Sequence, residues 1–209
     1  MKVKKMVTLA MLAAISYLIV NLVRIPVVLF LKYEPKDVII TIGGFLFGPM
    51  ASFIISFVVS LLEMVTISET GIIGGIMNLI STCSFACVAA FIYKKQHTLK
   101  GAILGLGLGS LLMVAIMLLW NWLITPLYLG VDRSTVEGML IPAFLPFNLL
   151  KAGLNSALTI GLYKPLSTAL RRIGLVETHA KSSKTGVYLF SGALLITCIL
   201  LLLVLQGKL

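Results

Sequence analysis

Long apolar runs alternate with short polar stretches along the chain, at positions 6–23, 38–66, 72–93, 101–127, 139–166 and 187–205. A helix needs about 20 apolar residues to cross a bilayer, so the pattern predicts an all-α fold, a polytopic membrane helix bundle. The first run reads as a retained helix, because no small-residue cleavage site separates it from a soluble mature domain. The second run, 38–66, has 29 residues, long for one span and short for two. With Lys2, Lys4 and Lys5 inside, a break at Gly48-Pro49 puts 11 Lys/Arg inside and 5 outside, and a single span reverses that balance. Cytoplasmic loops carry the Lys/Arg excess, so a hairpin is expected, broken by Gly43, Gly44, Gly48 and Pro49. Its first arm, 38–48, covers about half a bilayer at about 1.5 Å per residue. The 32–37 loop should therefore dip into the protein from outside. Irregular backbone at that depth must be buried in protein or line a cavity, so a cavity open to the outside is expected there.

Composition supports this class and adds the charge. The chain is 59% apolar and 11% charged, with mean hydropathy +1.10 and formal net charge +10. The cations sit mostly in the loops assigned to the cytoplasm, where topology and anionic lipid account for them. A lipid membrane is the expected surroundings, and no nucleic-acid partner is expected. The protein is placed in the cell membrane as a multi-pass protein with a cytoplasmic N-terminus.

Polar residues inside the apolar runs are the candidates for chemistry, because each is expensive in hydrocarbon unless it faces protein or water. Glu63 lies near the outer end of its helix and reads as structural or ligand-side. Asn78, Trp120, Asn121, Asn148 and Lys151 lie in the later runs, and Tyr33 in the charged loop. Asn148 and Lys151 stand at i and i+3, on one helical face. Asn121, Asn148 and Lys151 fall in the outward halves of their helices, and Lys151 has no evident acid partner at its depth. Together they describe an apolar, aromatic-rimmed pocket with a few convergent polar groups, the usual make-up of a small-molecule site.

Other features read as architecture. Gly101, Gly105 and Gly109 repeat every fourth residue, the pattern of close helix packing in lipid. Ala10 and Ala14, one turn apart, could admit a partner helix for the same reason. Glu69, Gly71, Gly74 and Gly75 read as an exposed turn before the fourth helix. Cys83, Cys87 and Cys198 read as small apolar fillers, and His97 and His179 lack neighbours at ligand spacing, so no metal site is expected. No phosphate-binding G-x-x-x-x-G-K-[ST] occurs, nor HExxH, GxSxG or paired intramembrane aspartates; neither ATP hydrolysis nor enzyme activity is expected.

The segment KYEPKDVIITIGGFLFGP at 32–49, AMLAA at 10–14 and PFNLLKAGLN at 146–155 resemble the riboflavin-specific substrate-binding subunit, or S component, of energy-coupling factor (ECF) vitamin transporters. The resemblance runs from Met1 to about Leu175. It implies a six-helix substrate-binding domain at 1–176, a first outer loop closing over the site, and flavin held by that loop and helices four to six. By position, Asn148 and Lys151 match the family's amide-and-lysine pair and Asn121 its helix-five amide. Tyr33, Asn78 and Trp120 join them as candidate substrate contacts. The resemblance further implies a coupling interface at Ala10 and Ala14 for a transmembrane coupling subunit, with two ATP-binding subunits supplying hydrolysis. It implies no cofactor, riboflavin being the transported ligand. The chain departs from a six-helix subunit in a basic linker, 177–186, and an extra C-terminal transmembrane segment, 187–209. Two alternatives stay open: an autonomous proton- or ion-coupled carrier using Glu63, and an S component for another vitamin.

Overall fold

The helix Pro49–Thr66, α3, is built inside out. Phe53, Ile54, Phe57, Val58, Leu61 and Leu62 are exposed along it, while Ser52, Ser56, Ser60 and Glu63 are buried. In water that arrangement would waste the apolar face, whereas in lipid the polar face must turn inward to find partners. The computed structural model, which describes residues 2–68, 71–172, 174 and 185–207, shows the same logic in an all-α membrane bundle. Among the described residues, four stretches are long and apolar enough to cross a membrane: Val3–Leu22, Pro49–Thr66, Gly71–Gln96 and Leu99–Leu129.

The first helix, α1, covers Lys2–Leu22 and leads into an antiparallel hairpin of β1, Ile25–Val28, and β2, Leu31–Tyr33. Ile25 pairs with Tyr33 and Pro26 with Lys32, and the register then slips so that Val28 faces Leu31. Leu29 turns the chain with φ 52°. The hydropathy pattern missed this hairpin because it is short and carries Pro26 on a strand. Helix α2, Lys36–Phe47, follows, so Lys36 and Asp37 belong to its first turn and not to a loop. Asp37 there complements the positive helix N-terminus, and its carbonyl accepts from Thr41 Oγ1 at 2.6 Å.

The expected break stands at Gly48, whose φ of 92° and ψ of 172° leave the helical region, with Pro49 opening α3. Glycine suits that backbone and proline suits a first helical position. Helix α2 has only 12 residues, and everything from Lys36 to Phe45 is buried. It packs against α1, α3, α5 (Val88–Gln96) and α8 (Leu145–Arg172) as the centre of the bundle.

Helix α4, Gly71–Thr82, continues through a π-helical turn at Cys83–Cys87 into α5. Gly74 and Gly75 are buried in α4, which corrects their reading as an exposed turn; a Cβ on Gly75 would lie 3.1 Å from Met64, so small size lets α4 approach α3. Thr98 caps α6, Leu99–Leu129, by accepting from the Gly101 amide at 3.1 Å, and Gly130 ends it at φ 65°. The short α7, Arg133–Met139, and a second π-helical turn, Leu140–Phe144, lead into α8. Helix α9, Thr185–Leu205, lies along α8. Most of the expected 177–186 linker, with His179, lies outside the described residues, as do Glu69 and Lys208.

The glycine repeat of α6 marks a close helix approach. A Cβ on Gly105 would stand 2.7 Å from the Ala89 carbonyl oxygen, and one on Gly109 2.5 Å from that of Phe85, while Gly107 has open space. Gly109→Leu is therefore expected to destabilise the detergent-solubilised protein by about 1–3 kcal/mol, and Gly107→Leu to leave its thermal midpoint unchanged. Equal losses in both variants would refute this packing account.

Candidate functional site

A cleft partly open to solvent lies between the hairpin, the end of α3, one side of α4, the end of α6 and the start of α8. Lys5 lies over the Phe47 ring and Lys94 beside Gly48 at the α2–α3 junction. The cleft is at the other end of α3, where Glu63, Met64 and Ser68 line it.

Asn78, Trp120, Asn121, Asn148 and Lys151 all line this cleft, brought together from three helices. Each of the two deep amides uses its Nδ2 to bond a carbonyl one turn back, Asn121 to Met117 at 2.7 Å and Asn148 to Phe144 at 2.8 Å. Thr125 donates to Asn121 Oδ1 at 2.9 Å, whereas Asn148 Oδ1 has no partner among the described residues. The bond to Phe144 fixes the Asn148 amide and leaves its acceptor oxygen available. Trp120 is half-buried, and its indole N–H likewise has no partner among the described residues. Phe30, Met117, Ile124, Tyr128 and Phe147 supply apolar wall.

Lys151 is not without an acid. Its Nζ lies 3.4 Å from Asp37 Oδ2 and 3.4 Å from Ser81 Oγ, and Asp37 is 1% exposed. The expectation of an unpartnered lysine failed because Asp37 belongs to a buried helix start and not to an outer loop. Thr82 donates to Asp37 Oδ1 at 2.6 Å and Asn155 to Oδ2 at 3.2 Å. Tyr33 does not reach the cleft wall. Its hydroxyl donates to Asn155 Oδ1 at 3.0 Å, behind Asp37, so it supports the site from beneath. Burial foremost, and then the Asp37 charge, hold the Tyr33 phenol far above its ordinary range.

A second chain of charges adjoins the first. Arg24 Nε meets Glu34 Oε1 at 2.9 Å, Glu34 Oε2 meets Lys36 Nζ at 3.2 Å, and Lys36 bonds both oxygens of Glu63. Asn78 Nδ2 donates to Glu63 Oε2 at 3.0 Å. Burial pushes the Glu34 carboxyl up, but Lys36, Lys151 and Arg24 together outweigh burial and hold it below the ordinary carboxylate range. Arg24, Lys36 and Lys151 thus balance Glu34, Asp37 and Glu63. Sequence reasoning flagged Glu63 but missed the Arg24, Glu34 and Lys36 chain that ends on it, and missed Asp37 with its partners Thr82 and Asn155. The usable signal was a buried Glu within reach of a charged segment, since ions in a bundle interior are normally paired.

Among the described residues no three His, Cys, Asp or Glu side chains are grouped to hold a metal ion. Ala10 and Ala14 do not line the cleft. Both are exposed on α1, while Ala13 between them is buried.

Comparisons with known proteins match this architecture. The model of the ECF transporter substrate-specific component family matches residues 4–163. The chain is 28% identical to "Riboflavin transporter RibU" of Staphylococcus aureus over 179 residues, covering 81% of this chain and 94% of that protein. It is 29% identical to "Riboflavin transporter FmnP" of Bacillus subtilis, covering 72% of this chain and 85% of that one. The RibU of Lactococcus lactis is 29% identical, at 88% and 96% coverage. A solved structure of the S component of a bacterial ECF transporter superposes with a TM-score of 0.69 at 28% identity, covering 82% of this chain and all of that one. With the family model spanning most of its length, this chain belongs to the substrate-specific components of ECF transporters.

Proposed function

We propose that the chain binds riboflavin with high affinity in the cleft and delivers it into the cell as part of an ECF transporter, with partner subunits hydrolysing ATP. The observation that carries the reading is the wall itself, where a fixed Asn148 amide with a vacant acceptor oxygen stands one turn from the Lys151 ammonium, between aromatic surfaces. A flavin presents a flat apolar ring system, a uracil-like edge that alternates donors and acceptors, and a polyhydroxyl chain. Asn148 Oδ1 accepts from the ring imide N–H, and its remaining N–H or Lys151 donates to a ring carbonyl. Trp120, Tyr128 and Phe147 cover the ring. Asn78 and the carboxylates of Glu34 and Glu63 offer acceptors to the ribityl hydroxyls. The names of the relatives in three organisms support the same substrate.

Lys4, Lys5, Lys94, Lys95 and Lys100 lie toward the end of the bundle away from the cleft, so the positive-inside rule supports a cytoplasmic N-terminus and a cleft facing outward. Substrate captured there needs a partner to carry it inward. Coupling falls to a transmembrane subunit docked on the exposed Ala10/Ala14 stripe of α1, where small side chains permit close helix contact, with two ATP-binding subunits behind it. Glu63 is already bonded by Lys36 and Asn78, so it serves as a structural partner, and proton coupling through it is the weaker reading.

The direct test is the absorption spectrum of protein purified from cells grown without added vitamin, followed by riboflavin fluorescence titration. Saturable quenching near one flavin per chain is expected; unchanged fluorescence would sink the flavin assignment. Asn148→Ala should raise Kd about tenfold or more, since a missing buried hydrogen-bond partner costs about 1–3 kcal/mol. Lys151→Ala should do the same, and parental affinity in both variants would place the site elsewhere. Ala10→Trp with Ala14→Trp is expected to abolish vitamin uptake by whole cells while quenching survives. Loss of quenching in that variant would instead indicate misfolding.

A further inference from the structure

The segment that the six-helix expectation left without a purpose reaches the hairpin that walls the cleft. Helix α9 lies beyond the residues matched by the family model. It runs along α8 at close range: Ser191 Oγ donates to the Ala157 carbonyl at 2.7 Å, and a Cβ on Gly153 would stand 2.6 Å from Cys198 Sγ. Gly161 likewise faces Ser191. From Ser191 to Gln206 the helix climbs about 22 Å at roughly 1.5 Å per residue. It ends beside β1, where Gln206 Nε2 donates to the Pro26 carbonyl at 2.7 Å. Leu201, Leu202 and Leu205 pack against the cluster that contains Val27, Leu31 and Tyr33.

The place of that bond matters. The hairpin register slips between Pro26 and Val28, and a bulge leaves ladder groups unpaired and the strand locally weak. An isolated two-stranded hairpin is marginal in water. The opposite strand and turn supply Phe30, Leu31 and Lys32 to the cleft wall. Helix α9 therefore grips the hairpin at its irregular strand, while Phe30, Leu31 and Lys32 of the same hairpin line the ligand space.

We infer that α9 is a strut that holds the β1–β2 hairpin over the cleft through Gln206 and its leucines, and so sets how long a bound molecule stays. Gln206 is a positioning residue that acts through the hairpin and touches no ligand. The effect should appear in release more than in capture, because release requires the hairpin to part from the bundle. The residence-time statement rests on the flavin reading above; the strut itself does not.

The full-length chain, its Gln206→Ala variant and its Gln206→Lys variant, which retains an N–H donor on a long stem, are compared in detergent. Riboflavin dissociation is followed by fluorescence recovery after dilution, and amide hydrogen exchange of residues 25–33 is measured without ligand. Gln206→Ala should release flavin about fivefold faster, the loss of one ordinary hydrogen bond, with association changed less than twofold. It should also speed exchange at Val28 and Leu31 by a similar factor, and Gln206→Lys should restore both. Leu205→Ala gives a second route to the same result through the apolar contact. Parental release and exchange in both Gln206→Ala and Leu205→Ala overturn the strut. If the parent chain does not quench riboflavin, the flavin reading fails and hydrogen exchange decides the strut by itself.

Discussion

The buried Lys36–Glu63 pair is the contact on which the site depends. Helix α2 is too short to cross a bilayer by itself and is surrounded by other helices, so its charged start lands inside the protein. Moving an ion from water to such surroundings costs several kcal/mol, which only close partners and full hydrogen bonding offset. Glu63 reaches Lys36 from the last turns of α3 and Glu34 reaches it from the hairpin end, while Asn78 on α4 donates to Glu63. Four elements are thereby fixed relative to one another at the level where the cleft opens. Removing one partner of such a pair costs about 3–5 kcal/mol because the other is left buried and uncompensated. The cleft wall therefore inherits its rigidity from charge pairing beneath and beside it as much as from apolar packing.

The second half of the network does the same for the residues that face the cleft. Asp37 sits one residue after Lys36 and collects Thr82, Asn155 and Lys151. Lys151 is thus held by its acid from one side and Ser81 from another, with its ammonium at the wall. Asn148 is held by its own helix through the Phe144 carbonyl. A binding group fixed before the ligand arrives loses less rotamer freedom on binding, which favours affinity without additional contacts. Tyr33 and Asn155 have no access to the cleft, yet they orient the carboxylate that orients the lysine.

Legibility in the sequence followed the range of the interaction. The break at Gly48-Pro49 was readable because it is local: a positive-φ glycine before a proline stops a helix whatever surrounds it. Asn121, Asn148 and Lys151 were readable because a polar residue in an apolar run is conspicuous, and all three meet at the cleft. Lys36 with Glu63, 27 positions apart, and Asp37 with Asn155, 118 apart, were not readable, since hydropathy carries no information about which distant charges meet. The hairpin at 25–33 escaped because its strands are three and four residues long and stabilised by tertiary packing against α8 and α9. Tyr33 was counted with the loop, and pairing turned it toward Asn155. Gly74 and Gly75 looked like a turn because glycine serves both turns and close helix contacts, and only the neighbour, Met64, tells the two apart.

Charge pairing connects these points to the proposed ligand. Arg24, Lys36 and Lys151 meet Glu34, Asp37 and Glu63 beside the cleft, each within 3.4 Å of an opposite charge, and Lys32 also lines the wall. Those six paired charges ask for no counter-charge from the molecule that enters. They leave it hydrogen-bonding groups: the Asn148 oxygen, the spare N–H groups of Lys151 and Asn148, and the indole N–H of Trp120. Donors and acceptors that an occupant buries without satisfying cost about 1–3 kcal/mol each. On the flavin reading proposed above, selection would work by rejecting flat apolar molecules that lack the matching polar edge, while the aromatic wall would disfavour small polar ones that lack the ring. A neutral, flat molecule with an amide-like edge meets both conditions at once.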